Sequence, residues 1–162
     1  MIKYNFSRRR FLQTGGFAAI GAVALSDTAW AQRSREMTLF IGTYTSSTSE
    51  GIYTYRMNSA TGELTKFSSI KSENPSFLTL DRSKRFLYAV NEVQQFEGKP
   101  SGAVSAYAID AKGKLTFLNQ QRSIGPDPCY LTVDRKRRSL LVANYTGGNV
   151  VLSEHHEYPT WG

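Results

Sequence analysis

Glu92 is the carboxylate that directly follows a run of strand character, Phe86 to Asn91, and this placement makes it a candidate general base or hydroxyl ligand. In an antiparallel meander alternate connections share one face, and the residues this places on one face with Glu92 are polar as well: Tyr44 and Thr45, then Glu73, Asn74 and Ser76, then Asn91, then Asp127 and Cys129, then Asn144 and Tyr145. Phenols, amides and hydroxyls of this kind bind small polar molecules, and Tyr44, Asn91, Asn144 and Tyr145 form the candidate substrate-binding set. Asn91 and Asn144 also have a plainer reading, because an asparagine repeated after equivalent strands ties down a turn through its side chain. Cys129 needs a histidine base to act as a nucleophile. The chain has two histidines, His155 and His156, and neighbours on a strand point to opposite faces, so they do not clamp one metal. No metal site and no cofactor are expected.

These groups must be positioned by strands. The part of the chain after residue 31 carries twelve Thr and eight Tyr in short runs, and no apolar period of helix length appears there. Self-comparison supplies the organisation. Phe77 to Asn91 lies over Tyr130 to Asn144 at an offset of 53, with seven identities in fifteen positions. Ile52 to Asn58 followed by Gly62 to Thr65 lies over Val104 to Asp110 followed by Gly113 to Thr116, at offsets of 52 and 51. Ile41 to Thr45 falls two periods before Val142 to Thr146.

Each period holds four short runs, A to D, separated by Asp, Gly, Pro and Asn turn residues. The first set is B at Thr38 to Tyr44, C at Ile52 to Met57 and D at Glu63 to Ile70. The second is A at Phe77 to Asp81, B at Phe86 to Asn91, C at Ala103 to Ile109 and D at Lys114 to Gln121. A third opens with A at Tyr130 to Asp134 and B at Ser139 to Asn144. Four antiparallel strands per unit of about fifty residues is the signature of an all-β propeller blade. The stretch 32–152 then holds about two and a half blades, fewer than the four to eight of a closed propeller. Residues 153–162 depart from the repeat, which suggests a truncated or frameshifted end, and a chain of open blades is expected to aggregate and to lack activity.

The first 31 residues read differently. Ser7-Arg8-Arg9-Arg10-Phe11-Leu12 precedes a weakly apolar stretch and the small-residue site Ala29-Trp30-Ala31. This order is that of a cleavable signal peptide, and the arginine pair fits the twin-arginine pattern. Arg8 and Arg9 would engage the twin-arginine export machinery, and cleavage after Ala31 would leave a periplasmic or secreted bacterial product without a stable membrane anchor. Net charge over the whole chain is +7, and 16 Lys/Arg against 12 Asp/Glu leave +4 after residue 31. That mild excess forms no stripe, so nucleic acid is not an expected partner. The clusters Arg82 to Arg85 and Arg135 to Arg138 recur at the A to B turn and read as solvated turns.

The repeat units resemble the bacterial lactonase family of seven-bladed β-propellers, which includes 6-phosphogluconolactonases and, more distantly, carboxymuconate lactonizing enzyme. The stretches that carry the resemblance are Ile41 to Thr45, Gly51 to Tyr55, Glu73 to Leu78, Phe86 to Glu92, Gly113 to Asn119, Pro128-Cys129 and Ala143 to Asn149. Tyr130 stands where the family commonly has His. The resemblance implies hydrolysis of a sugar 1,5-lactone to the aldonic acid without a redox cofactor, with a small-molecule sugar lactone as partner. It also allows a muconate-type cycloisomerase, which would need basic residues around a tricarboxylate, or a noncatalytic periplasmic binding propeller.

Overall fold

The computed structural model describes residues 36–136 and 139–154, and all of their regular structure is β-strand. The leader read at residues 1–31, with Arg8, Arg9, Ala29 and Ala31, lies outside the described residues. So do Arg137, Arg138, His155, His156 and the rest of the tail after Glu154.

Three antiparallel sheets follow one another along the chain. The first is β1 (Glu36–Gly42), β2 (Gly51–Asn58) and β3 (Leu64–Lys71), in that spatial order. The second begins with β4 (Leu78–Leu80) and β5 (Phe86–Asn91). A small hairpin of β6 (Gln95–Phe96) and β7 (Lys99–Pro100) interrupts it before β8 (Ala103–Ile109) and β9 (Leu115–Arg122), and the sheet order is β4-β5-β8-β9. The third comprises β10 (Pro128–Val133), β11 (Ser139–Asn144) and β12 (Asn149–Glu154). These are the expected blades: B, C and D of one, A to D of the next, and A, B and C of a third.

Burial follows from the two-residue alternation of strand side chains. Leu87 and Ala89 of β5 point to one side, where they join Ile52, Tyr107 and Leu115 in a core between the first and second sheets. Tyr88 and Val90 point to the other, joining Val104, Ala106, Leu131, Leu140 and Val142 in a core between the second and third. The middle sheet is therefore apolar on both faces, and five of the six β5 residues are buried. Each large aliphatic side chain so placed contributes about 1.5–3 kcal/mol relative to exposure. β4 and β10 are the first strands of adjacent sheets and lie beside each other, and the rings of Phe77 and Tyr130 meet at 4.7 Å. The A strands thus occupy matching positions in neighbouring blades.

The seams between blades are tight. Proline stands at the D to A passage in both cases, Pro75 within the connection and Pro128 at the start of β10, and both are fully buried. A methyl built on Gly42 would fall 2.0 Å from the carbonyl oxygen of Pro75, and one on Gly102 would fall 2.1 Å from Cδ of Pro128.

The turn chemistry explains the basic clusters. Asp81 is buried, and its carboxylate accepts hydrogen bonds from the backbone N–H groups of Ser83, Arg85 and Phe86, each at 2.9 Å, and from the Ser83 hydroxyl. Burial alone would raise the Asp81 pKa, but these donors outweigh it and hold the carboxyl below its ordinary value. Asp134 caps the equivalent turn, accepting from Ser139 N at 3.0 Å and Lys136 N at 3.2 Å. The basic residues between are carried outward by that turn, and Arg82, Lys84, Arg135 and Lys136 are exposed.

Several boundaries differ from the sequence expectation. β1 ends at Gly42 rather than Tyr44, because the Thr43 hydroxyl turns to Ser49 and to the carbonyl of Gly51 at 2.8 Å and ends the ladder. β4 is confined to Leu78–Leu80, since Asp81 belongs to the turn it caps. β12 continues through Ser153 and Glu154, past the point where apolar alternation lapses. Its register pairs Ser153 with Leu140, which carries the Ser153 side chain into a buried position.

Candidate functional site

The D to A and B to C connections bring the sequence candidates together on one face. Tyr44 leaves β1 and Glu92 leaves β5, at equivalent positions of adjacent blades, and the Tyr44 hydroxyl donates to Oε2 of Glu92 at 2.8 Å. Tyr145 occupies the same position after β11 and is 80 % exposed. Three successive blades therefore present phenol, carboxylate and phenol. The hydrogen bond to Glu92 is the largest influence on the Tyr44 phenol and raises its pKa above the ordinary 10; partial burial and the charge of Glu92 act in the same sense. The Ser76 hydroxyl acts against that rise and Cys129 adds to it slightly.

The two asparagines of the candidate binding set have another role. Asn91 is 1 % exposed, and its amide is consumed by its surroundings. Its Nδ2 donates to the carbonyl of Glu73 at 2.6 Å and to Oγ of Ser72 at 3.1 Å, and its Oδ1 accepts from Ser105 at 2.6 Å and from Gln120 at 2.9 Å. Asn144 is buried too, donating to the carbonyl of Ser123 at 2.9 Å and to Oδ1 of Asn149 at 3.2 Å. Both are clamps that fasten the end of a B strand to the connection entering the blade, and neither presents its amide on the face that carries Tyr44 and Glu92. Asn91, with its donors and acceptor all engaged inside the protein, has nothing left for a ligand, and the one unengaged atom of Asn144, Oδ1, is buried.

Asn74 is the residue whose weight the sequence did not single out. It has a left-handed backbone (φ 40°), and its Oδ1 accepts from Thr45 N at 2.9 Å and from the Thr45 hydroxyl at 3.0 Å. Its own N–H donates to Oγ1 of Thr45 at 3.2 Å, its Nδ2 donates to the carbonyl of Glu92 at 3.3 Å, and its carbonyl accepts from Glu92 N at 3.0 Å. The usable signal was the repeated Asx-Pro pair, Asn74-Pro75 and Asp127-Pro128, one period apart. Asp127 shares the left-handed backbone (φ 52°) and accepts Tyr145 N at 2.8 Å, but its carboxylate takes the Thr146 hydroxyl of its own blade at 2.5 Å. Cys129 is exposed, and its Sγ lies 3.7 Å from the carbonyl of Ala143. The histidines that could activate it lie outside the described residues.

Residues 38–158 match the family model described as "Lactonase, 7-bladed beta-propeller". The chain belongs to this lactonase family. Among curated relatives, the 6-phosphogluconolactonase of Bacillus subtilis is 36% identical over 113 residues, covering 68% of this chain and 31% of that protein. The 6-phosphogluconolactonase of Formosa agariphila is 31% identical over 122 residues, covering 74% and 34%. A solved structure, the periplasmic gluconolactonase of Pseudomonas aeruginosa, superposes with a TM-score of 0.67 at 32% identity, covering 73% of this chain and 34% of that one. The chain thus spans about a third of the length of the lactonase relatives it matches. The three sheets are blades of the family propeller, and the face holding Tyr44, Glu92 and Tyr145 lies where successive blades meet.

Proposed function

We propose that this face is part of the site of a sugar-lactone hydrolase, which opens a 1,5-lactone to its aldonic acid. The observation that carries the reading is the hydrogen bond from Tyr44 to Glu92 across adjacent blades. A carboxylate held by one oxygen keeps the other for a sugar hydroxyl or for the water that attacks the lactone carbonyl. In the second role Glu92 takes a proton from that water as the new C–O bond forms at C1; the ring oxygen leaves and is protonated in turn. The exposed ring of Tyr145 offers an apolar surface for the sugar face. Asn91 and Asn144 hold the loops and stay off the substrate.

Relatives named as 6-phosphogluconolactonases and a gluconolactonase support a gluconolactone as substrate, phosphorylated or not. The twin-arginine pattern at Arg8 and Arg9 and the small-residue site at Ala29 and Ala31 support export to the periplasm, and an unphosphorylated sugar lactone suits that compartment. Family propellers have seven blades, and the described strands contribute to three, so the chain is assigned a share of the binding face and no turnover of its own.

Titration of the chain with D-gluconate, followed by NMR of 13C-labelled tyrosine, is expected to move the Tyr44 and Tyr145 signals and to lose that response in Glu92→Gln. Signals that stay in place at saturating gluconate would remove the reading. Base consumption at constant pH with δ-gluconolactone is expected to equal that of buffer, and a rate above buffer would overturn the assignment of turnover to a fuller set of blades. Fusion of residues 1–31 to a reporter is expected to export it, and Arg8→Lys with Arg9→Lys to retain it in the cytoplasm.

A further inference from the structure

We infer that Asn74 is a positioning residue for the Tyr44–Glu92 pair, a strut across the seam between the first two blades that fixes the distance and angle of the phenol to the carboxylate. The inference rests on the sugar-lactone reading for its functional meaning, and on hydrogen-bond geometry for its existence.

Tyr44 and Glu92 belong to different sheets and sit on separate loops, so packing of the two blades alone leaves their loop tips free to slide. One residue ties both. Thr45, the neighbour of Tyr44, exchanges three hydrogen bonds with Asn74, and Glu92 exchanges two with it, one through the side-chain amide and one through the backbone. The arrangement requires an acceptor and a donor on one short side chain, which Asn has and Asp lacks. It also needs the left-handed backbone that Asn tolerates better than most residues.

The next blade provides the comparison. Asp127 occupies the equivalent position, and its carboxylate turns to Thr146 in its own blade; only its backbone N–H reaches the preceding blade, at the carbonyl of Val93, 3.0 Å away. Backbone capping of the following loop is common to both positions, at Glu92 and at Tyr145. The side-chain bridge between blades belongs to Asn74, and it stands at the seam where a phenol meets a carboxylate.

The test reads the pair without turnover. Substitution Asn74→Gly deletes the side chain and leaves the φ 40° backbone at ease. In the full chain with 13Cζ-tyrosine, the Tyr44 titration midpoint of the parent lies above the ordinary tyrosine value because Glu92 holds the neutral phenol. The midpoint is expected to fall in Glu92→Gln, to fall in the same direction in Asn74→Gly, and to fall no further in the double variant. A midpoint in Asn74→Gly equal to that of the parent, or a second fall of similar size in the Glu92→Gln background, would overturn the strut. Should Asn74→Gly fail to fold, Thr45→Val loosens the same strut from the other blade, and an unchanged midpoint there refutes it equally. Gluconate binding separates the two ideas: coupling of the phenol to Asn74 without gluconate binding defeats the lactone reading and keeps the strut, and the reverse pattern defeats the strut alone.

Discussion

Replacement of Asn91 by Ala should cost far more stability than the same change at Asn144, although the two residues stand at equivalent blade positions. Asn91 makes four side-chain hydrogen bonds, to Ser72, Glu73, Ser105 and Gln120. Asn144 makes two, and its Oδ1 is buried without a partner. A net value of about 0.5–1.5 kcal/mol per bond gives roughly 3–4 kcal/mol for Asn91→Ala, including the Glu73 carbonyl left without its donor. The corresponding sum for Asn144→Ala is about 1–2 kcal/mol, eased by removal of an acceptor that is already unsatisfied. With a urea m-value of about 1–2 kcal/mol/M, the 2 kcal/mol difference separates the two midpoints by about 1–2 M. Urea titration followed by circular dichroism at low protein concentration measures it. Equal losses in the two variants would refute the clamp accounting, and an Asn91→Ala chain of parental stability that no longer binds gluconate would return Asn91 to the ligand-binding set.

Val151 stands where the preceding blade has Ser105, the donor to Asn91, so Val151→Ser should supply Asn144 Oδ1 with a hydroxyl and raise stability by about 1 kcal/mol, read as a higher urea midpoint. Asp81→Asn should destabilise at neutral pH. Because the folded-state pKa of Asp81 is depressed, its contribution is fully present above the unfolded value near 3.8 and is lost as pH falls through the folded value, so the gap between parent and variant should start to narrow only below about pH 3.8. Melting curves at pH 7 and pH 3 measure this, and a gap of constant size would contradict it. Gly102→Ala should force the seam at Pro128 to open and cost about 1–3 kcal/mol, whereas Gly62→Ala, at a turn with open space around it, should show only the smaller strain of its positive φ.

The blade plan was legible because it repeats. Asp81 over Asp134, Asn91 over Asn144 and Gly62 over Gly113 each mark a turn whose geometry recurs, and the two glycines have φ of 75° and 78°. What did not repeat stayed hidden. The β6–β7 hairpin turns on Glu97 and Gly98, both with positive φ, within one blade alone, so self-comparison had nothing to set beside it. The bulges that leave Phe67 of β3 and Leu118 of β9 unpaired do recur, but they are written in the pairing register, which no residue type announces. At the site, the polar face and the Tyr44–Glu92 candidates were readable from strand ends. The division of labour was not, since buried Asn91 ends its strand and exposed Tyr145 follows the equivalent one, one residue apart in phase, and only the tertiary neighbours decide which is a fastener. Asn74 is one of the polar residues of that face in the sequence, but its bridging role is not legible there because its partners lie in two loops distant in sequence.

The glycine-on-proline contacts have a consequence for how the family wheel keeps its shape. Each seam is gauged by one hard stop, a bare Cα against a proline that has no N–H to strand, met at the carbonyl oxygen of Pro75 in one case and at the ring of Pro128 in the other. A stop of that kind sets the pitch of one sheet against the next without depending on long side chains. The outer strands, with their bulges and exposed Phe67 and Leu118, can then drift in sequence while the spacing between neighbouring sheets is kept.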